Sequence, residues 1–288
     1  MTADLETLVV AAYYFASLLP VPLGPGRPAK VSDAELIALA VAQASMGESS
    51  DRKFLGMIAY RLPGWFSHLP DQSQYNRRLR RLVPYIVMVQ LGVAELIAEG
   101  QTRLADGTLI SCANYAGCAQ KGHFAGHAGY GYCPSKSLFV WGMRLVLVTD
   151  SKGVPVGYDL VAPGDGEREP LFRLAQAHPD TALFADKGLW GAEYERTIEL
   201  IEIELITPER HRLGERPPAE VVKASIRLVI ESVFSNLKGQ MRLGQHLAKT
   251  LPGLAQRIAQ RLLALTVGMF CNLLIGRPTR ALVAYDGR

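Results

Sequence analysis

The sequence predicts an α/β protein in which an all-helical N-terminal domain precedes a mixed β-sheet flanked by helices. Hydrophobic residues recur at helical spacing through roughly the first hundred residues. Beyond that point, apolar runs of strand length appear, first in succession and then alternating with helical segments. We therefore expect a helical domain over residues 1–98 and a sheet-containing domain over residues 99–288.

The helices of the first domain show recognisable starts and ends. Ser32 precedes the helical segment DAELIALAVAQASM and Glu35 follows three residues later, which predicts a capping box. The segment LLPVPLGPGRPAK, residues 18–30, is rich in proline and glycine and indicates a linker after a short first helix. The helical pattern resumes after this linker and ends near Gly100.

Three strand-like runs follow, at residues 102–113, 138–150 and 154–164. The Ser-Lys-Gly turn between the last two runs predicts a hairpin. The chain then alternates between helix (GEREPLFRLAQAH), strand (TALFAD), helix (AEYERTIELIE), strand (IELITP) and a long helix over residues 219–242. This order predicts a mixed sheet with helices on its faces, and ligands of such sheets gather beyond the strand ends.

Composition and charge exclude several classes of protein. Hydrophobic residues make up 49% of the chain and charged residues 20%, which is typical of a globular protein rather than a disordered one. The uncharged run at residues 262–275 is short for a membrane span, so we expect a buried helix and no membrane partner. Four cysteines do not make a disulfide framework, and the start lacks a basic signal-peptide segment, so we expect a cytoplasmic protein. The net charge of +4 permits binding to nucleic acid.

Three acids are candidates for one shared site: Asp106 in RLADGTLI, Asp186 in TALFADKGLWG and Glu231 in RLVIESVFSNLK. Carboxylates that meet at one end of a sheet repel one another unless a cation neutralises them. Mg²⁺ suits such oxygen ligands, and two ions could activate a nucleophile and stabilise the leaving oxygen of a phosphodiester. Each acid also has a simpler interpretation. Asp106 and Asp186 stand in turn-like sequences, and Glu231 could form an ordinary ion pair with Arg227 four residues earlier.

The segment RLVIESVFSNLK, residues 227–238, predicts a helix with one charged side. At about 100° per residue, Arg227, Glu231 and Lys238 lie near about 0°, 40° and 20° around the helix axis. The adjoining arc is apolar and consists of Leu228, Val229, Ile230, Val233, Phe234 and Leu237. The pattern therefore places a carboxylate at the margin of a buried face, between two cations.

The motif FADKGLWG, followed by IRLVIESVFSNLKGQMRL, resembles the acidic motifs of the DDE transposases of bacterial insertion sequences. The likeness extends to RPAKVSDAELIALAVAQ, LPDQSQYNRRLRRL, YGYCPSKSLFVWGMRLVLV and GLAQRIAQRLLAL, and the most similar group is the one named for insertion sequence 982. The resemblance implies an RNase H-like sheet in which Asp106, Asp186 and Glu231 are both the metal ligands and the catalytic residues.

The same resemblance implies a reaction and its partners. Two Mg²⁺ (or Mn²⁺) ions would support cleavage by water at the ends of a mobile element, and the freed 3′-hydroxyl would attack target DNA without a covalent protein–DNA intermediate. The partners would be the terminal repeats and target DNA, bound by a homodimer or a larger assembly at the nucleoid in the bacterial cytoplasm. A metal-dependent nuclease without strand transfer and a non-catalytic DNA-binding protein derived from a transposase are the alternatives.

Two of the assignments within this scheme have their own alternatives. Asp150, in LVTDSKG, is the second candidate for the first acid, although a hairpin turn explains it more simply. A zinc site is the alternative for residues 112–133, which contain Cys112, Cys118, His123, His127 and Cys133, but the spacing is unlike that of zinc fingers. We expect instead a loop rich in glycine and alanine near the site, with Lys121 and Lys136 available to DNA.

Basic and aromatic residues supply the candidate DNA contacts. They are Arg77, Arg78, Arg80, Arg81, Lys136, Trp190, Arg227 and Lys238. Phosphate contacts by arginine and lysine provide most of the non-specific affinity for DNA, and helices near the arginine cluster could form a helix-turn-helix-like unit. The four clustered arginines could also be a solvated helix face, and Trp190 could be a core residue rather than a base-stacking one.

Overall fold

The computed structural model describes residues 2–19, 29–113, 124–133, 137–185, 192–206 and 218–287. The chain forms two compact units. The helical unit consists of Met1–Ile97 and Ser235–Arg288, and the sheet unit consists of Ala98–Phe234. The sequence predicted a boundary close to residue 98, but it also placed residues 235–288 in the sheet-containing domain, whereas these residues pack with the N-terminal helices.

The helical unit contains helices whose bounds follow the sequence signals. They are α1 (Leu5–Ser17), α2 (Asp33–Ser45), α3 (Asp51–Arg61), α4 (Gln72–Arg81) and α5 (Val83–Ile97). The predicted capping box of α2 is confirmed, since the hydroxyl of Ser32 accepts from the N–H of Glu35 and the carboxylate of Glu35 accepts from the N–H of Ser32. The helical pattern across residues 71–100 forms two helices rather than one, because Pro84 has no N–H with which to continue α4.

Two further helices lie near the C-terminus. Helix α8 (Pro218–Lys238) passes from the sheet unit into the helical unit, and α9 (Leu251–Leu274) packs against α2 and α5. The predicted burial of the apolar run at residues 262–275 is confirmed up to Asn272, apart from the partly buried Phe270, whereas Leu273 and Leu274 are exposed. Among the described residues, no helix is both long and apolar enough to cross a membrane.

A network of buried polar side chains joins four helices of the helical unit. Nη2 of Arg257 donates to Oδ1 of Asp51 at 2.6 Å, and Nε2 of Gln43 donates to the same oxygen at 2.9 Å. Nδ2 of Asn76 donates to Oδ2 of Asp51 at 2.9 Å, and the hydroxyl of Tyr75 donates to Oε1 of Gln43 at 3.0 Å. Burial raises the pKa of Tyr75 well above its ordinary value, so its hydroxyl remains a donor. The network therefore links α2, α3, α4 and α9 through one enclosed carboxylate.

The described part of the sheet unit has six strands in one mixed sheet. They are β1 (Thr102–Ser111), β2 (Gly129–Cys133), β3 (Leu138–Asp150), β4 (Pro155–Val161), β5 (Thr181–Phe184) and β6 (Ile203–Ile206). Strand β3 is antiparallel to β1, β2 and β4, whereas β5 is parallel to both β1 and β6. The predicted mixed sheet flanked by helices and preceded by N-terminal helices is confirmed.

One face of this sheet packs against two helices, α6 (Arg168–Ala175) and α7 (Ala192–Glu199). Its core consists of Ala105, Val148, Leu171, Ala175, Leu183, Ala185, Tyr194, Ile198 and Ile203. Because successive side chains of a strand point to opposite faces, Leu104, Asp106 and Thr108 lie on the other face of β1. We call the face with Ala105 the core face and the face with Asp106 the acid face.

Part of the segment predicted as a loop forms a strand. Residues 129–133 make up β2, which pairs with the first five residues of β3. Gly142 pairs with both Ser111 of β1 and Gly129 of β2, so β2 and β1 lie on opposite edges of β3. Strands β2 and β3 thus form a hairpin that continues past the end of β1. The loop residues 114–123 lie outside the described part of the chain.

Candidate active site

Asp106 lies in the middle of β1, where it is paired with Leu147 of β3. Its side chain is half-buried, and Oδ1 accepts a hydrogen bond from the N–H of Gly107 at 2.7 Å. The simpler interpretation of Asp106-Gly107 as a turn is wrong, because both residues belong to a continuous antiparallel ladder. A central strand holds this carboxylate in a defined position on the acid face.

Gly107 allows an ion pair to approach the core face of β1. A Cβ atom at this position would lie 2.6 Å from Oε1 of Glu167 and 3.3 Å from Cδ of Arg144, which is too close for a carboxylate held in place. Arg144 and Glu167 are themselves ion-paired, and both are partly exposed. The absence of a side chain at position 107 therefore leaves room for this ion pair, and no turn is needed to explain the glycine.

Asp186 lies outside the described residues, but the strand that precedes it is described. Strand β5 is parallel to β1, and Leu104 is paired with Phe184. Asp106 stands two residues after Leu104, and Asp186 stands two residues after Phe184. Each aspartate therefore stands two residues after one member of the residue pair that joins the neighbouring strands β1 and β5.

Glu231 lies on the part of α8 that belongs to the sheet unit, and its side chain is 49% exposed. Oε1 accepts from Nε of Arg227 at 3.0 Å, and the Arg227 side chain is 57% exposed. The structure therefore contains the predicted i,i+4 pair, which at this exposure contributes about 0.3–0.5 kcal/mol.

One residue of the predicted apolar arc of α8 is exposed. Leu228 is 64% exposed, whereas Ile230, Val233, Phe234 and Leu237 are buried. At about 100° per residue, the four buried side chains fall between about 240° and 340°, and Leu228 falls near 100°. The prediction for Leu228 was wrong because it took account of hydrophobicity without the direction of the side chain.

Asp150, the second candidate for the first acid, is fully buried at the end of β3. Its carboxylate accepts from the backbone N–H groups of Glu99 at 3.0 Å, Lys152 at 2.9 Å and Val154 at 2.8 Å. The explanation by a hairpin turn is confirmed. An acid enclosed by three donors stabilises the β3–β4 connection and has little access to an ion or to DNA.

The alternative zinc site receives no support from the described residues. Burial raises the pKa of the Cys112 thiol to about 11, so this thiol is protonated at neutral pH in the metal-free protein. Its Sγ lies 3.8 Å from the carbonyl oxygen of Ile110. Cys118 and His123 lie outside the described residues. Within the described ranges, no group of three or more His, Cys, Asp or Glu side chains could hold a metal ion.

The four clustered arginines of α4 do not share one environment. Arg77, Arg80 and Arg81 are exposed, whereas Nη2 of Arg78 lies 2.5 Å from Oδ1 of Asp33 and its side chain is only 15% exposed. Arg78 therefore ties α4 to the start of α2. Lys238 is exposed at the end of α8. Lys121, Lys136 and Trp190 lie outside the described residues, so their predicted DNA contacts stay predictions.

The β2–β3 hairpin carries two aromatic pairs that were not predicted from the sequence. Tyr130 is paired with Trp141, with ring centroids 5.0 Å apart, and Tyr132 is paired with Phe139 at 5.4 Å. The sequence did contain a signal for two strands, since an aromatic residue occupies every second position in both GYGYC and FVW. The intervening glycines hid it, because they made the segment look like a loop.

Comparisons with known proteins gave a family match and a structural similarity. The sequence profile described as a transposase DDE domain matches residues 98–267, which is more than half of the chain. Among solved structures, the chain is similar to piggyBac transposase in a synaptic complex with hairpin DNA, at 11% sequence identity and a TM-score of 0.46. That similarity covers 98% of this chain and 75% of the other. No curated protein matches the sequence.

Proposed function

The chain belongs to the transposase DDE domain family, and from this premise we propose that it cuts DNA at the ends of a bacterial insertion sequence and joins those ends to target DNA. Family membership makes it a DNA-cleaving transposase, and DDE transposases use divalent metal ions. The finer proposal, that the element belongs to the group named for insertion sequence 982, rests on the sequence motifs around Asp186 and Glu231.

The register of β1 and β5 is the observation that carries the proposed site. Strand β5 ends at Phe184, which is paired with Leu104 of the parallel strand β1, and Asp186 and Asp106 each follow these paired residues by two positions. Glu231 belongs to the same compact unit and presents a half-exposed carboxylate. We therefore propose Asp106, Asp186 and Glu231 as the catalytic acids.

The side chains present fit a hard divalent ion. All three proposed ligands are carboxylates, and the two that are described, Asp106 and Glu231, are partly open to solvent. Oxygen ligands favour Mg²⁺ or Mn²⁺ over softer ions. When bound, two such ions would supply the charge that activates a water molecule and stabilises the leaving 3′-oxygen.

The chain's own residues would then position the DNA. Arg227 is paired with Glu231 and is 57% exposed, and we propose that its guanidinium exchanges this pair for a bidentate contact with an approaching phosphate. Lys238 is the proposed point charge for a phosphate further along the strand. Arg77, Arg80, Arg81, Lys136 and Trp190 are the other proposed DNA contacts, and Arg78 is left out because it is paired with Asp33. We propose that a homodimer or larger assembly holds the two ends of the element.

The test is a cleavage and joining assay on the full chain. The protein is incubated with duplexes that carry the genomic sequences flanking its gene, with a target plasmid, and with Mg²⁺, Mn²⁺ or EDTA. We expect nicks specific to the ends, joined products with either metal, and neither in EDTA. Cleavage without joining would identify a nuclease instead.

Variants assign the acids within this assay. Asp106→Asn and Glu231→Gln should each lower the cleavage rate more than about 100-fold, since even residues that only support metal ligands cost 10- to 100-fold. Glu204→Gln is the matched control, because Glu204 is an exposed acid of β6 in the same unit. A near wild-type rate for Asp106→Asn would show that the first acid is elsewhere.

A further inference from the structure

The β2–β3 hairpin presents a row of four aromatic side chains. Tyr130 and Tyr132 alternate with glycine on β2, and Phe139 and Trp141 lie opposite them on β3. Tyr130, Tyr132 and Phe139 are 49%, 51% and 69% exposed, and Trp141 is half-buried. We call these four residues the aromatic row. Rings of this size normally contribute to a core, so their exposure indicates a binding surface.

The aromatic row lies on the acid face of the sheet. Leu147 is directly opposite Asp106, and side chains on the same face of β3 recur at every second residue, through Met143 to Trp141 and Phe139. Trp141 lies six positions before Leu147 along β3, so the two residues are about 20 Å apart at about 3.4 Å per residue. The row and Asp106 therefore share one face of the sheet, and Met143 and Leu145, which lie between them on β3, are buried.

The opposite side of the hairpin is already packed. A Cβ atom on Gly131 would lie 2.8 Å from Cδ2 of Leu109 and 3.0 Å from Cβ of Pro163, so this glycine lets the hairpin lie close against both residues. Contact on one side holds the hairpin in place, while the aromatic row stays open to solvent on the other. The surface is thus preorganised, which lowers the entropy cost of binding.

The charge around the hairpin favours a polyanion. In the sequence, no Asp or Glu occurs between Asp106 and Asp150, whereas Lys121 and Lys136 do. Arg144, in the same segment, lies on the core face and is already paired with Glu167. Lys136 stands in the sequence between β2 and β3. Aromatic side chains interleaved with cations, without acids, are the composition of surfaces that bind single-stranded nucleic acid.

We propose that the aromatic row stacks on unpaired bases of the DNA strand that leads to the scissile phosphate. This inference rests on the proposed function, because it takes the site at Asp106 as the place where that strand is cut. One strand of a DNA duplex rises about 3.4 Å per nucleotide, and an unpaired strand is more extended, so about 20 Å corresponds to at most about six nucleotides from the cut. Bases within a duplex are already stacked on each other, so the row selects DNA that is frayed or opened near the end.

The test measures binding by the full chain in EDTA, where no cleavage takes place. A fluorescein-labelled single-stranded oligonucleotide of about twenty nucleotides, taken from the flanking genomic end, is compared with its duplex form by fluorescence anisotropy. The variant Tyr132→Ala/Phe139→Ala should weaken single-strand binding at least tenfold and duplex binding less than twofold, since each stacked base contributes substantially to affinity. Its thermal unfolding should match that of wild type, because both rings are largely exposed.

Two controls separate stacking from other effects. Tyr132→Phe/Phe139→Tyr keeps both ring faces and should retain single-strand affinity within about twofold. Tyr13→Ala removes an exposed ring from α1 and should leave single-strand affinity unchanged.

Three outcomes would overturn the proposal. The first is unchanged single-strand affinity in the alanine variant, and the second is an equal loss for single strand and duplex. The third is unchanged DNA binding with loss of a dimer in size-exclusion chromatography with light scattering, which would assign the row to a second copy of the chain. Failure of the proposed function would give a different result. The wild-type protein would then show no metal-dependent cleavage, while its binding to single strands would still depend on the aromatic rings.

Discussion

Asp51 in the helical unit and the two described candidate acids in the sheet unit have opposite environments. In the helical unit, Asp51 is 5% exposed and is enclosed by donors from Gln43, Asn76 and Arg257. In the sheet unit, Asp106 is half-buried and Glu231 is 49% exposed. A carboxylate surrounded by protein donors stabilises the fold, whereas one that keeps part of its surface open to solvent can still accept a ligand.

Asp150 shows that this difference is not simply a difference between the units. It belongs to the sheet unit, as Asp106 does, yet it is fully buried and accepts three backbone hydrogen bonds. Burying a charged group is unfavourable unless its hydrogen bonds are made inside the protein. Enclosure by donors therefore distinguishes a structural acid from a candidate catalytic one more reliably than its place in the sequence does.

The largest expected effect is on the buried pair of the helical unit. Arg257→Leu leaves Asp51 charged and without its cation in a site that excludes water, so it should lower the free energy of unfolding by about 3–5 kcal/mol. Urea unfolding followed by circular dichroism measures this change. Arg52→Leu, at an exposed position of α3, is the control and should cost less than about 0.5 kcal/mol. Equal effects of the two substitutions would show that the Asp51 network is not structural.

Alanine substitutions of Asp150 and Asp106 should separate an effect on stability from an effect on cleavage. Asp150→Ala leaves buried N–H groups without an acceptor and should cost about 2 kcal/mol or more. Asp106→Ala should cost less than about 1 kcal/mol while abolishing cleavage. Differential scanning calorimetry of both variants, together with the end-cleavage assay, gives the two quantities. A stable, inactive Asp150→Ala protein would reverse the two assignments.

The arginines of α4 combine a structural residue and candidate DNA-binding residues within one helix. Replacing Arg77, Arg80 and Arg81 together by alanine should lower the slope of log K against log salt by up to about three, roughly one for each lost phosphate contact. Arg78→Ala should instead cost about 1 kcal/mol of stability, because its pair with Asp33 is lost. Salt titrations of duplex binding and thermal melts distinguish the two roles. An unchanged slope in the triple variant would make these residues a solvated helix face.

The smallest effect concerns pH and the sheet unit. Burial, together with the nearby positive charge of Arg103, lowers the pKa of His178 below its ordinary value of 6.5. The unfolded chain therefore binds a proton more readily, so this contribution to stability is fully present above pH 6.5 and is lost as the pH falls below it. Melting temperatures of wild type and His178→Gln between pH 7.5 and pH 5.5 test this. The variant should lose less stability over this range than wild type does.

Local sequence patterns determined much of this molecule. The capping box of Ser32 and Glu35, the hairpin turn at Asp150 and the order of strands and helices all depend on residues a few positions apart, where hydrogen-bonding and side-chain periodicity act directly. The motif around Glu231 likewise indicates the family through residues that lie close together in the chain. These features could be predicted because the residues that cause them lie only a few positions apart in the sequence.

Tertiary structure decided what depends on residues far apart in the chain. The enclosure of Asp51 requires Arg257 from α9, and the exposure of Leu228 depends on which side of α8 the core covers. Likewise, β2 became a strand only because the start of β3 provides a ladder for it, and residues 235–288 joined the helical unit because α9 packs against α2 and α5. In each case the deciding free energy comes from burial and pairing between distant segments, which no local pattern contains.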